Sequence, residues 1–253
     1  EISWQTGGKD SEMKNAFTSS VLAAGLLSNV TLAAHVDIRA YVQNGAITVG
    51  SSELVGSTVM PLSDDQRVFG AEFGEDDPAQ PFMTEEPGFL SEDGAFPGGS
   101  GQWLGFNARA GAAFWNGAGF VGVPASESLQ ITVGSQSVNV ANGPAGGFNF
   151  AQIGVGGGLH QHMTFELLGA DGNPIPGDGI EPSLGVYLLE LELTTTMGNV
   201  ASSAPMWVVF NNGDSEENHE AAVAWAERNL VPEPTSVLLL AAGTMLRRRR
   251  RPR

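Results

Sequence analysis

The strongest constraint on how this chain folds is a series of short apolar–polar alternations, each closed by a turn residue. The longest is residues 185–196, GVYLLELELTTT, with Tyr187, Leu189, Leu191 and Leu193 on one side of an extended chain and Leu188, Glu190 and Glu192 on the other. Side chains alternate across a strand with a period of two, so this pattern gives one continuous apolar face only as a strand. Residues 35–43 repeat it, with Val36, Ile38, Ala40 and Val42 set against His35, Asp37, Arg39 and Tyr41. Asn44-Gly45 follows as a hairpin signal, and Ala46 to Val49 returns. Shorter strands are expected at 68–73, 103–106, 119–123, 129–133, 137–141, 148–155, 160–168 and 206–210, divided by Gly-, Asn- and Pro-rich turns. One helix is expected after Ser215, a suitable N-cap followed by Glu216 and Glu217, with Ala222, Trp225, Ala226 and Leu230 as its buried stripe. The expected fold is all-β: a β-sandwich or jelly-roll-like domain over residues 35–230 with one C-terminal α-helix.

Charge narrows the partners. Residues 35–231 hold 24 acidic residues against four arginines, a net charge of −20. A body this acidic is repelled by nucleic acid and by anionic membrane surfaces. It is compatible with divalent cations, basic partners or a salty habitat. There is no cysteine, so stability comes from packing or from a metal, never from disulfides.

The ends have a different character. Residues 1–12 have no periodicity and read as an over-extended start. Met13-Lys14, the apolar stretch 16–32 and Ala33-Ala34 then form a signal-peptide pattern, so that residues 13–34 would be removed on export. At the other end, residues 231–253 divide into Pro232-Glu233-Pro234, an apolar run from Thr235 to Leu246, and the basic residues Arg247, Arg248, Arg249, Arg250 and Arg251 with Arg253 beyond. A helix of about 12 residues covers roughly 18 Å, short of a hydrocarbon core of about 30 Å. Such a segment can stall in a bilayer but not span it comfortably. The arginines resist translocation and stay on the cytoplasmic side, and the prolines leave an extended segment next to the membrane.

These residues resemble the PEP-CTERM sorting signal of Gram-negative bacteria. The resemblance covers roughly 23 residues and implies a sorting route. The tail would contact the inner membrane transiently and be recognised by an exosortase, a membrane-embedded cysteine transpeptidase, and removed. With the secretion machinery as the other implied partner, the expected location is the cell surface or extracellular matrix. It implies nothing about the chemistry of the body.

Within the body, histidine is the informative residue. His160-Gln161-His162 places two imidazoles on one face of a strand, where both can reach one cation. His35 and Asp37 repeat that spacing near the expected mature N-terminus. These four residues, His35, Asp37, His160 and His162, form the candidate metal site, and imidazole suits zinc or copper. The competing reading is a solvated strand face carrying two polar rings. If cleavage follows Ala34, the amino and ring nitrogens of His35 could together chelate copper. That arrangement resembles the histidine brace of copper-carrier proteins and copper polysaccharide monooxygenases.

Calcium is the other cation to weigh. The loop 171–181, DGNPIPGDGIE, is rich in oxygen ligands but departs from the EF-hand pattern at Ile175. Ten carboxylates in residues 64–93 are an alternative source of ligands, or simply a solvated acidic surface. Walker, H-E-x-x-H and G-x-S-x-G patterns are missing, and the acids are too many to single out a glycosidase pair. The expectation is a non-catalytic binding or structural role, with zinc or copper binding as the alternative. Trp103 and Trp115, read as exposed, suggest an extracellular polysaccharide as a partner.

Overall fold

A computed structural model describes residues 36–232, apart from 125 and 178. In chain order the first strands are β1 (Asp37–Gln43), β2 (Ala46–Val55), β3 (Thr58–Ser63), β4 (Val68–Glu72), β5 (Met83–Thr84), β6 (Phe89–Ser91), β7 (Trp103–Ala108) and β8 (Ala113–Trp115). They continue with β9 (Phe120–Gly122), β10 (Ser128–Val133), β11 (Gln136–Val140), β12 (Ala145–Gln152), β13 (Leu159–Gln161), β14 (Thr164–Leu168), β15 (Gly185–Thr195) and β16 (Met206–Asn212), and helix α1 (Glu216–Asn229) closes the domain. The fold is all-β and sandwich-like with a single helix, as the alternation predicts.

The strands form three sheets, ordered β13-β6-β1-β2-β3, β12-β7-β15-β16-β4 and β11-β10-β14-β5, with β8 and β9 extending the second beside β15. One core joins all three. It contains Ile38, Ala40 and Phe89 from the first sheet, Leu129, Ile131 and Phe165 from the third, and Tyr187, Leu189, Leu191 and Leu193 from β15. The opposite face of the central sheet is covered as well. Val186, Leu188, Trp207 and Val209 pack with Ala222 and Ala226 of α1 in a second cluster. Burial on both faces explains why 206–210 reads as an unbroken apolar run. Cutting a residue such as Leu189 back to alanine costs about 2–5 kcal/mol.

The Asn44-Gly45 hairpin forms as expected. Both turn residues have positive φ (52° and 79°), the requirement of a type I′ turn. Two differences from the sequence reading have physical causes. Strand β2 runs on to Val55 and pairs with β3, a strand the alternation does not reveal. Leu54, Val55, Met60 and Leu62 are all exposed there, so no buried face sets a period, and β3 lies at the sheet edge, where Pro61 is tolerated. The expected single strand 160–168 is two strands. The chain leaves the first sheet after Gln161, buries Met163 completely, and enters the third sheet at Thr164.

That crossing, together with the order β13-β6-β1, positions the candidate site. β6 pairs antiparallel with β13, His160 opposite Leu90 and Gln161 opposite Phe89. On its other side β6 pairs parallel with β1, Ile38 opposite Phe89, and the Ile38 amide donates to the Gly88 carbonyl at 2.8 Å. Asp37 and the histidine pair therefore approach the segment entering β6 from opposite sides. Among the described residues, no helix is long and apolar enough to cross a membrane.

Candidate metal centre

The start of β1 sets Asp37 into the domain at 7% exposure, and its Oδ1 is buried with no hydrogen-bond partner. A buried carboxylate oxygen with no donor is costly, because nothing replaces the water it has lost. The groups facing it are Glu86 and His162. One ligand atom from each of the three residues lies within 4.8 Å of the other two.

Gly88 makes this approach possible. A β-carbon at this position would lie 2.7 Å from Asp37 Oδ1, 2.6 Å from His162 Cε1 and 2.8 Å from His162 Nε2. The two side chains thus converge on the space left by a missing side chain. The Gly88 amide donates to Glu86 Oε2 at 3.2 Å, and the Glu86 amide donates to Thr84 Oγ1 at 3.2 Å, which fixes the backbone that carries the carboxylate.

The His162 ring is held on both sides. Its Nδ1 donates to the Glu85 carbonyl at 3.0 Å and lies 3.7 Å from Glu86 Oε1. This bond selects the tautomer that leaves the Nε2 lone pair available, the arrangement typical of a metal-ligating histidine. That Nε2 meets His160 Nε2 at 3.1 Å. The exposed His160 borders a groove of about 420 Å³ shared with Thr132, Val133, Gly134, Gln161 and Thr164. His162 and Glu86 are more enclosed, with side chains 31% and 16% exposed.

Of the sequence-predicted ligands, Asp37 and His162 fall in one cluster with Glu86, His160 meets that cluster only through His162, and His35 lies outside the described residues. Glu86 is the member of the cluster that sequence reasoning missed. It is one of ten carboxylates between residues 64 and 93, and only the β1–β6 pairing singles it out. Other members of that run have separate roles. Glu92 and Asp64 pair with Arg39, Asp76 accepts from Thr84 and the Glu85 amide, and Asp77 accepts from Gln80 and the Ala79 amide. In the loop 171–181, Asp171 bonds to Asn173, Asn173 to the Ile175 amide and Glu181 to the Gly177 amide, so these oxygens brace their own loop.

A second cluster, Glu72, Glu216 and His219, sits at the N-terminus of α1. Buried His219 donates from Nε2 to the Val209 carbonyl at 3.0 Å and packs against Gly70, docking the helix on the sheet. Desolvation, and then a hydrogen bond with Glu72, raise the Glu216 carboxyl above its ordinary value.

The two tryptophans read as exposed part company. Trp103 is 39% exposed, whereas Trp115 is 7% exposed and packs at a tilt against Phe120 and edge-on against Trp225 of α1. Its ring is taken up by core packing and is not available to a sugar. Of the sorting residues, Pro232 closes the described chain, and Glu233, Pro234 and Arg247 to Arg251 lie outside the described residues. No family model and no curated protein matches the chain.

Proposed function

We propose that this chain is an exported β-sandwich protein of the cell surface or extracellular matrix, sorted by its tail and serving a non-catalytic binding or structural role. The observation carrying this reading is the composition of residues 231–253: Pro-Glu-Pro, an apolar run too short to cross a bilayer comfortably, and an arginine block that stays on the inner side. In this reading an exosortase-type transpeptidase cuts near Pro232-Glu233-Pro234 and frees the acidic body.

The way the domain ends supports such a cut. Among the described residues the last element is α1, ending at Asn229, and the Leu230 amide closes it by donating to the Ala226 carbonyl at 2.9 Å. Leu230 and Val231 still pack on the second core cluster. A cleavage beyond Pro232 therefore leaves the described core intact. The acidity of the body suits a secreted passenger that neither adheres to anionic lipid nor binds nucleic acid. An extracellular polysaccharide remains the proposed partner class, with Trp103 as the exposed aromatic that would meet it.

The test is mass spectrometry of the protein recovered outside an exosortase-bearing Gram-negative host and an exosortase-deleted strain. The expected result is a polypeptide that starts near residue 35 and lacks the arginine block, formed only when the transpeptidase is present. A released protein still carrying Arg247 to Arg253 in the bearing strain overturns the reading.

A further inference from the structure

We propose that Asp37, Glu86 and His162 bind one divalent transition-metal ion, with His160 recruited as fourth ligand from its place against His162 and zinc the best match to the donor set. The site stands on side-chain geometry and is independent of how the chain is sorted. It differs from the set expected from sequence, because Glu86 supplies the second oxygen and no role is required of His35.

Three observations converge. The first is the orphaned Oδ1 of Asp37, on a side chain more than nine-tenths buried, which faces an imidazole and a second carboxylate and no hydrogen-bond donor. The second is the ring orientation of His162. Its Nδ1–H is committed to the Glu85 carbonyl, so the nitrogen beside the Gly88 space is a lone-pair donor. The third is the contact between the two histidines. Nitrogens 3.1 Å apart, each bound at about 2.0–2.1 Å to a common zinc ion, subtend an angle of about 100° at the metal. That angle is close to the one between neighbouring ligands of a four-coordinate site. Two imidazoles and two carboxylates form a mixed N/O set that suits zinc better than calcium or magnesium, which take oxygen alone.

The location also gives the ion a role and a route. Asp37 comes from β1, Glu86 from the segment leading into β6, and the histidines from β13 and the crossing that follows it. A bound ion would pin these three segments together in a chain that has no disulfides. The groove bordered by His160, Thr132 and Thr164 leads from solvent to the histidine pair and supplies an entry path.

Gly88 offers a test that removes no ligand. Its φ lies outside the left-handed region, so alanine is compatible with the backbone. The added methyl would instead push against the ends of the Asp37 and His162 side chains and drive the donors apart.

The experiment uses the full chain, stripped with chelator and then titrated with zinc, copper(II) or calcium. Bound metal is measured by elemental analysis after dialysis, and the melting temperature is followed in parallel. The expected result is one zinc per chain, a rise in melting temperature of about 10 °C at saturation, and no displacement by excess calcium. Asp37→Asn, Glu86→Gln, His160→Ala and His162→Ala should each weaken zinc at least tenfold. Gly88→Ala should do the same while its metal-free circular dichroism keeps the parent's strand signal, with a somewhat lower melting temperature from the crowding. Glu216→Gln, at the helix cluster, should bind like the parent. The proposal is overturned by a stripped chain that takes up no stoichiometric zinc, or by calcium displacing the zinc. It is equally overturned by zinc or copper uptake that survives both Asp37→Asn and Gly88→Ala, since the metal would then lie elsewhere.

Discussion

The hydroxyl of Tyr187 donates to Glu127 Oε2 at 2.7 Å, joining a fully buried phenol on β15 to a carboxylate in the loop before β10. Glu127 is itself only 5% exposed, and its other oxygen accepts from the Ser183 amide at 2.9 Å and from Ser183 Oγ at 2.7 Å. One carboxylate thus satisfies three donors where the third sheet meets the central one. The two ends of this network differ in consequence. Tyr187→Phe removes one donor and leaves Glu127 with its Ser183 bonds, so a loss of about 1–2 kcal/mol is expected in urea unfolding. Glu127→Ala orphans the Ser183 amide and hydroxyl together and leaves the phenol only the Ser183 carbonyl at 2.8 Å, and should cost about 2–4 kcal/mol. Equal losses from the two variants would mean that the carboxylate is not the hub.

Burial beside a carboxylate, at two separate places in the fold, disfavours ionisation of both tyrosines. Burial first, and then the hydrogen bond to Glu127, push the Tyr187 phenol far above its usual range. Tyr41 is also raised, by burial and then by the charge of Asp64. A phenol whose folded pKa is raised favours its neutral form in the fold. Its contribution is therefore fully present below the unfolded value of about 10 and declines as the pH rises beyond it. These are the only two tyrosines in the chain, so ultraviolet titration reads them directly. The expected curve has no tyrosinate step near pH 10 in the native protein, with both rings ionising as the fold is lost. A reversible step from one tyrosine at about pH 10 would show that ring to be solvated.

Legibility from the sequence followed burial. Where the apolar residues of a strand fall mainly on one face, as along β1 and β15, the alternation marked the strand and the face turned to the main core, although Asp37, Arg39 and Tyr41 on the other face of β1, and Val186 and Leu188 on that of β15, are buried as well. Where both faces are exposed, as in β3, or where a strand has only two or three residues, as in β5 and β8, no periodic signal exists. The residues of the candidate metal centre divide in the same way. His160 and His162 stand out by type and spacing, although the strand assumed to align them breaks at His162 and the pair meets all the same. Glu86 is invisible within an acidic run, because its neighbourhood is made by a parallel pairing of segments about fifty residues apart. Gly88 was unreadable for the same reason. Its significance is the space it leaves, and that depends on side chains approaching from β1 and from the β13–β14 crossing.

Helix α1 carries a prediction from its first residue. Ser215 is extended (φ −69°, ψ 146°), and its side chain accepts from the Asn218 amide at 3.3 Å, with Glu216 and Glu217 in the first turn. Ser215→Ala should lower stability by about 1 kcal/mol, and Ser215→Asp should restore it, since an anion at this end also complements the helix dipole. Urea midpoints of the three proteins are the measurement. A Ser215→Ala midpoint equal to the parent's would mean that the cap adds nothing beyond the packing of Ala222 and Ala226.

Acid should weaken the domain through Arg39. This guanidinium is 9% exposed, grips Glu92 through Nε at 2.9 Å and through Nη2, and reaches Asp64 through Nη1 at 2.7 Å. The hydrogen bond from Arg39 holds the Glu92 carboxyl below its ordinary value against the opposing effect of burial. A carboxyl lowered in the fold contributes stability that is fully present above its unfolded pKa of about 4.3 and is lost as the pH falls through the folded value. Glu92→Gln should therefore cost about 1–3 kcal/mol at pH 7, where Asp64 is the ionic partner left to Arg39 among the described residues. The gap between parent and variant should narrow as the pH falls below about 5 and through the lowered folded value. Urea unfolding at stepped pH, with chelator present so that no metal ligand contributes, measures that gap. A gap that stays constant across the acid range would mean that Glu92 acts by packing and hydrogen bonding alone, with no share in the pH dependence.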